Sequence, residues 1–123
     1  MQRVLGVGGV FFRAKGDRKA LLEWYRTHLG IEFEEWGGRV FLTAEEPGNG
    51  LTWSIFESET TYFGPGNAFM VNYKVADLDA MLVQLRDAGV EVDDHVERSE
   101  YGHFGWCKDP EGNRIELWQA PDE

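Results

Sequence analysis

A similar stretch of sequence occurs twice in this chain, sixty residues apart, and this repeat limits the folds that the chain can adopt. The first copy begins at Asp17 and ends in Leu29-Gly30-Ile31, and the second begins at Asp77 and ends in Ala88-Gly89-Val90. An aspartate can cap the start of a helix, apolar residues at a 3.6-residue spacing give the helix one buried face, and glycine ends it. Each copy therefore predicts one amphipathic helix.

Strand-like segments surround the two predicted helices in the same order, with one segment before each helix and three after it. Before the helices they are Val7 to Ala14 and Ala68 to Val75; after them they are Glu32 to Trp36, Arg39 to Thr43, Leu51 to Phe56, Val90 to Val92, Gly102 to Cys107 and Arg114 to Gln119. Paired glycines in Trp36-Gly37-Gly38-Arg39 predict a hairpin turn. The predicted fold class is α+β, a single domain of two βαβββ modules, residues 1–58 and 68–123, with a linker at 59–67.

Composition excludes several functional classes. With 123 residues, 42% of them hydrophobic and 14% aromatic, the chain can form one core without disulfides or a structural metal. Cys107 is the only cysteine, which excludes a disulfide framework and a cysteine-rich zinc site. A net charge of −10 argues against binding to nucleic acid or to an anionic membrane. No stretch reaches the ~18 apolar residues of a membrane helix, so we predict a cytoplasmic protein.

Alternation along the predicted strands separates two faces of the sheet. One face is apolar, and we expect the helices to cover it: Val10, Phe12, Ile55, Val71, Tyr73, Val75, Ile115 and Leu117. The opposite face mixes aromatic rings, small polar groups and one carboxylate: Gly9, Phe11, Arg13, Thr52, Ser54, Phe56, Met70, Asn72, Arg114, Glu116 and Trp118. That mixture is typical of a surface that lines a cavity.

Two motifs near the C-terminus carry a family resemblance. They are Tyr101-Gly102-His103-Phe104-Gly105-Trp106 and Asp109-Pro110-Glu111-Gly112-Asn113-Arg114-Ile115-Glu116-Leu117-Trp118. Together with Trp24-Tyr25 and Asp77-Leu78-Asp79, they resemble the vicinal oxygen chelate superfamily, which includes glyoxalase I, bleomycin-resistance proteins and extradiol dioxygenases. The resemblance runs from Gly9 to Trp118. It implies curled mixed sheets that form a shared, glyoxalase-like cleft, usually within a homodimer.

The resemblance also implies where a metal ion would bind. Enzymes of this superfamily hold a divalent ion with up to four His or Glu side chains, and the corresponding positions here are Gly9, Ser54 (or Trp53), Met70 and Glu116. Of these residues only Glu116 is a usual ligand, whereas such ions need about three or more protein ligands. We therefore predict no metal cofactor. The three histidines, His28, His95 and His103, lack the close spacing of a compact alternative site.

The ligand charge that the sequence predicts depends on where two arginine side chains lie. The acidic excess favours a cationic or amphipathic ligand, but Arg13 and Arg114 share the predicted cavity face. If these guanidinium groups reach the cleft, a ligand that bears a carboxylate fits better. Both alternatives stay open at the level of sequence.

The predicted function is binding of a small aromatic or amphipathic organic molecule in the cleft, without metal, as in bleomycin-resistance proteins. The predicted ligand-binding residues are Phe11, Ser54, Phe56, Met70, Asn72, His103, Arg114 and Trp118. Glu116 is the candidate catalytic residue, because burial beside Trp118 would raise its pKa and suit it to proton transfer. The first alternative is a metal-dependent glyoxalase-like lyase, isomerase or dioxygenase. The second is a vestigial cleft in a protein that mainly assembles with others.

Overall fold

The computed structural model describes residues 1–29, 31–42 and 50–122, which form seven strands and two helices. In chain order they are β1 (Val4–Arg13), α1 (Arg18–Leu29), β2 (Gly38–Leu42), β3 (Gly50–Phe56), β4 (Phe69–Val75), α2 (Leu78–Asp87), β5 (Glu97–Ser99), β6 (Gly102–Lys108) and β7 (Arg114–Gln119). The strands form one sheet in the order β2-β3-β1-β4-β7-β6-β5. This architecture confirms the α+β class with a curled mixed sheet.

The two halves of the chain meet at the centre of the sheet. Strand β1 pairs in parallel with β3, and β4 pairs in parallel with β7. Strands β1 and β4 are antiparallel to each other, and Gly9 lies opposite Asn72 in their register. Because β1 and β4 each open one half, this pairing joins the halves into one continuous surface.

Both helices begin at the aspartates that the repeat predicts. The Asp77 carboxylate accepts a hydrogen bond from the backbone N–H of Ala80 at 3.0 Å, and Asp17 caps α1 in the same way. Helix α2 is followed by Gly89, whose φ of +82° is the left-handed conformation expected of a helix-ending glycine. Gly30, the corresponding residue of the first copy, lies outside the described residues. Neither described helix is long and apolar enough to cross a membrane.

The helices pack on strands that lie to either side of the central pair, β1 and β4. Helix α1 packs against β3, and α2 packs against β6 and β7. Ile55, Val75 and Leu117 are accordingly buried, as the alternation predicts. Val10 was expected to be covered as well, but it is 40% exposed. It lies on the central strand β1, and one helix packs on each side of that strand.

Two predicted strand segments differ in the structure. Residues 32–36 form no strand; the backbone N–H groups of Gly37 and Glu34 bond to the carbonyls of Glu34 and Gly38, which makes a turn that leads directly into β2. The expected hairpin is therefore absent from this described segment. Val90–Val92 is reduced to an isolated bridge from Val92 to Cys107, and Glu97–Ser99 pairs with β6 instead. Thr43, the end of another predicted strand, lies outside the described residues.

Candidate functional site

The face of the sheet opposite the helices lines a cavity of about 1160 Å³ that is open to solvent on one side. Because side chains alternate, Ser54 and Glu116 face this cavity whereas their neighbours Ile55 and Leu117 face the helices. The walls carry the aromatic rings of Phe11, Trp36, Phe56, Tyr62, Phe104 and Trp118. Such a space is large enough for a drug-sized organic ligand.

A buried carboxyl group lies at the floor of the cavity. Glu116 is only 1% exposed, although its side chain is acidic. The hydroxyl of Tyr62 donates a hydrogen bond to its Oε1, and Nδ2 of Asn72 donates to its Oε2 at 2.7 Å. Asn72 reaches Glu116 because the two residues lie opposite each other in the β4–β7 register. Each carboxyl oxygen therefore has one donor from the protein, as buried polar groups require.

Burial and hydrogen bonding have opposite effects on this carboxyl group. Burial raises the pKa of Glu116, because the charged form loses its hydration. The donors on Tyr62 and Asn72, together with the nearby indole N–H of Trp106, favour the charged form and partly offset that rise in pKa. The Trp106 N–H does not reach hydrogen-bonding geometry with any described partner. Burial, and then the charge of Glu116, also raises the pKa of Tyr62, so this phenol stays neutral and donates.

Tyr62 belongs to the segment between the two halves and is fixed from both sides. Its ring stacks on Phe56, with centroids 5.3 Å apart and planes at 19°. Its carbonyl accepts a hydrogen bond from Nε of Arg114 at 2.8 Å. The same guanidinium pairs with Asp93 at 3.1 Å and lies over the ring of Trp106. Arg114 therefore holds the segment that carries Tyr62.

The structure brings most of the predicted site residues together. Six of the predicted site residues line the cavity: Phe11, Ser54, Phe56, Asn72, Glu116 and Trp118. Three others lie outside the lining: Met70 is fully buried in an aromatic cluster, His103 contacts Arg98 at 3.1 Å, and Arg114 is engaged as described above. Arg13 also lies elsewhere, with its guanidinium donating to the carbonyl of Asn67. As ligand contacts, all of these residues remain predictions.

Two important residues were not among the predicted ligand-binding residues. The sequence places Tyr62 of the linker only at the rim of the cleft, because no alternation reports which way a side chain faces there; in the structure its hydroxyl donates to Glu116 at the floor. Glu97 lines the cavity from β5, a strand that the alternation did not predict. The one available signal for Glu97 was its position four residues before the aromatic motif that begins at Tyr101, and this spacing alone does not predict a strand.

The residues at the implied metal positions do not fit a divalent ion. Gly9 has no side chain, and a Cβ built there would lie 2.5 Å from the carbonyl oxygen of Thr52, so the space for a ligand is closed. Met70 is a buried thioether, and Ser54 offers only a hydroxyl. Among the described residues, no group of three or more His, Cys, Asp or Glu side chains could hold a metal ion. Glu116 is the single carboxylate of the set.

Comparisons with known proteins agree with this fold. The family model of the Glyoxalase/Bleomycin resistance protein/Dioxygenase superfamily matches residues 10–117. A crystal structure of methylmalonyl-CoA epimerase from Mycobacterium tuberculosis is similar, with 25% identity, a TM-score of 0.63, and coverage of 98% of this chain and 90% of that one. Among curated proteins, no sequence matches significantly.

Two further solved structures share the fold at lower identity. A glyoxalase/bleomycin resistance protein/dioxygenase superfamily member from Vibrio splendidus 12B01 has 16% identity and a TM-score of 0.57, and the match covers 97% of this chain and 99% of that one. The Mn(II)-bound glyoxalase from Novosphingobium aromaticivorans has 14% identity and a TM-score of 0.57, and the match covers 100% of this chain and 43% of that one. Identity this low shows the fold alone.

Proposed function

Because the chain belongs to the glyoxalase/bleomycin resistance protein/dioxygenase superfamily, we propose that its cavity binds a small aromatic or amphipathic organic molecule without a metal ion. The observation that carries this proposal is the combination of aromatic walls and a buried carboxyl group, Glu116, in a cavity of about 1160 Å³. Cavities with apolar walls and few, well-placed polar groups are typical of small-molecule sites.

The aromatic side chains support a flat ligand. Phe11 and Phe56, on strands β1 and β3, form one pair with centroids 5.6 Å apart. Phe104 and Trp118, on β6 and β7, form a second pair that is close to parallel, with planes at 23°. The two pairs lie on opposite halves of the sheet and line the same cavity, so a planar molecule could stack on either of them. Such burial contributes roughly 25 cal/mol per Å² of apolar surface.

The floor of the cavity supports recognition of one polar group on the ligand. An ionised carboxylate has about four acceptor positions, and the protein uses one on each oxygen of Glu116, through Tyr62 and Asn72. The remaining positions can accept hydrogen bonds from a ligand. In this role Glu116 orients the ligand, and binding requires no bond to break.

A metal-dependent lyase, isomerase or dioxygenase is the second candidate. The similarity to methylmalonyl-CoA epimerase over almost the whole chain favours it. The donor set does not, because Gly9, Ser54 and Met70 supply no carboxylate or imidazole beside Glu116. An enzyme of this kind would lose turnover in Glu116→Gln. The unmutated protein treated with EDTA would be active again only after a divalent ion is added.

The test is a thermal-shift screen of flat aromatic compounds in buffer that contains EDTA. A compound present at about 100 times its Kd should stabilise the folded protein by about 2.7 kcal/mol. Thr52→Phe places a larger side chain in the cavity wall and should abolish the shift, whereas Thr61→Phe, at an exposed position outside the lining, should retain it. A screen without any stabilising compound, or equal shifts in both variants, would overturn the proposal.

A further inference from the structure

The charge of the cavity points to the kind of polar group that its ligand carries. Four carboxylates contribute to the described lining: Glu34, Glu97, Glu100 and Glu116. Arg39 is the one basic side chain among the described residues of the lining, and its guanidinium donates to the carbonyl of Glu32 at 3.3 Å. The excess of negative charge is therefore a property of the cavity and not only of the outer surface.

Arg13 and Arg114 were the reason that the sequence did not decide the charge of the ligand. In the structure both guanidinium groups bind other parts of the protein. Arg13 donates to the carbonyl of Asn67 and lies over the ring of Phe63. Arg114 pairs with Asp93 and donates to the carbonyl of Tyr62. Neither residue lines the cavity. The structure thus removes the reason to expect an anionic ligand.

Strand register places aromatic rings between two of the carboxylates. Glu97 lies opposite Phe104 in the β5–β6 register, and Phe104 lies opposite Trp118 in the β6–β7 register. Glu116 shares the cavity face with Trp118 and lies two residues before it. Neighbouring strands are about 4.8 Å apart, so β5 and β7 are separated by about 10 Å. Burial is the main cause of the raised pKa of both Glu116 and Tyr62, and the negative charge of Glu97 makes a smaller contribution in the same direction.

We propose that the ligand is an organic cation, with a flat apolar body and an amine or quaternary ammonium group. Its positive charge lies over Phe104 and Trp118, between Glu97 and Glu116. A cation over an aromatic ring is attracted by the negative charge of the ring face, and more strongly when it is desolvated. Burial raises the pKa of Glu116, and a cation beside it has the opposite effect, because a nearby positive charge favours the ionised carboxylate. This inference rests on the proposed function.

The experiment compares two dyes that differ in charge and hardly in shape. Thioflavin T is a flat benzothiazolium cation, and the same molecule without the ring N-methyl group is neutral. Binding of each dye is followed by fluorescence titration of the full chain in EDTA. We expect thioflavin T to bind about tenfold more tightly than the neutral dye, which corresponds to about 1.4 kcal/mol. This preference should shrink at high salt, because salt screens the exposed carboxylate of Glu97.

Two variants that each remove one negative charge distinguish the effect of a charge in the cavity from the effect of the protein's net charge. Glu97→Gln should weaken thioflavin T about fivefold and leave the neutral dye unchanged, in line with an exposed charge pair. Glu111→Gln removes an equal charge from an exposed turn outside the lining and should change neither affinity.

The outcomes distinguish the two proposals. Equal binding of both dyes, or equal effects of the two variants, would overturn the cation assignment and leave the binding function standing. Tighter binding of the neutral dye would do the same. Failure of both dyes to bind would contradict the binding function together with the cation assignment.

Discussion

The hydroxyl of Tyr62 donates a hydrogen bond to Oε1 of Glu116, so a residue from the segment between the two halves completes the floor of the cavity. Among the described residues of the sheet, the one that makes a hydrogen bond to this carboxyl group is Asn72, on the strand next to Glu116. Arg114 and Phe56 in turn hold Tyr62 in place. The segment that contains Tyr62 is therefore part of the cavity wall.

Tyr62→Phe should destabilise the protein because it leaves one oxygen of a buried carboxyl group without its donor. We expect a loss of about 1–3 kcal/mol in the free energy of unfolding, measured by urea denaturation at neutral pH. Tyr101→Phe is the matched control, since Tyr101 is 68% exposed, and should change stability by less than about 0.5 kcal/mol. Equal effects of the two substitutions would show that the Tyr62–Glu116 bond contributes nothing to stability.

The pH dependence of stability should report the ionisation of Glu116. Because burial raises its pKa in the folded state above the ordinary value of 4.5, its contribution is present at low pH and is lost as pH rises through the folded pKa. Glu116→Gln removes this contribution. The unfolding free energy of the variant minus that of the wild type should therefore increase as pH rises above 4.5. Urea denaturation between about pH 4 and pH 8 measures it, and a constant difference would contradict the raised pKa.

Gly9→Ala should disrupt the centre of the sheet. The added Cβ would lie 2.5 Å from the carbonyl oxygen of Thr52 and 3.0 Å from the ring of Phe11, so the backbone must shift. We expect a loss of about 1–3 kcal/mol in the unfolding free energy. Gly6→Ala is the control in the same strand, because a Cβ there meets nothing within 4 Å. Unfolding of both variants at the same urea concentration would contradict the close contact between Gly9 and Thr52.

Metal content should stay low even when divalent ions are offered. The protein is purified without a histidine tag, incubated with Zn²⁺, Mn²⁺ or Ni²⁺, and desalted before elemental mass spectrometry. Because Glu116 is the one ligand of the implied set, we expect fewer than about 0.1 ions per chain. About one retained ion per chain would show that other residues complete a site, and it would favour the metal-dependent enzyme.

The parts of this fold that follow from periodic patterns were predictable. The repeated aspartates predicted where α1 and α2 begin, and alternation placed Ser54, Asn72 and Glu116 on one face. These signals work because a capping carboxylate and a strand's side-chain period are local properties of the backbone.

The rest of the site depends on contacts between distant segments. Met70 has the parity of the cavity face, yet it is buried because it packs in a cluster with Phe63 of the linker. Arg114 also has that parity, but at the first residue of β7 its long side chain reaches Asp93 and the backbone of Tyr62. Residue spacing does not predict either position. Both side chains contact the linker, and the linker has no periodic pattern that would show where its residues lie.

The most direct test of a binding cavity that needs no metal is a fluorescence titration of the neutral benzothiazole dye in EDTA, repeated with excess Mn²⁺. The account predicts one bound dye per chain and Kd values that agree within about twofold between the two conditions. Thr52→Phe should remove the binding in both. Binding that occurs only with Mn²⁺, or no binding in either condition, would contradict the account.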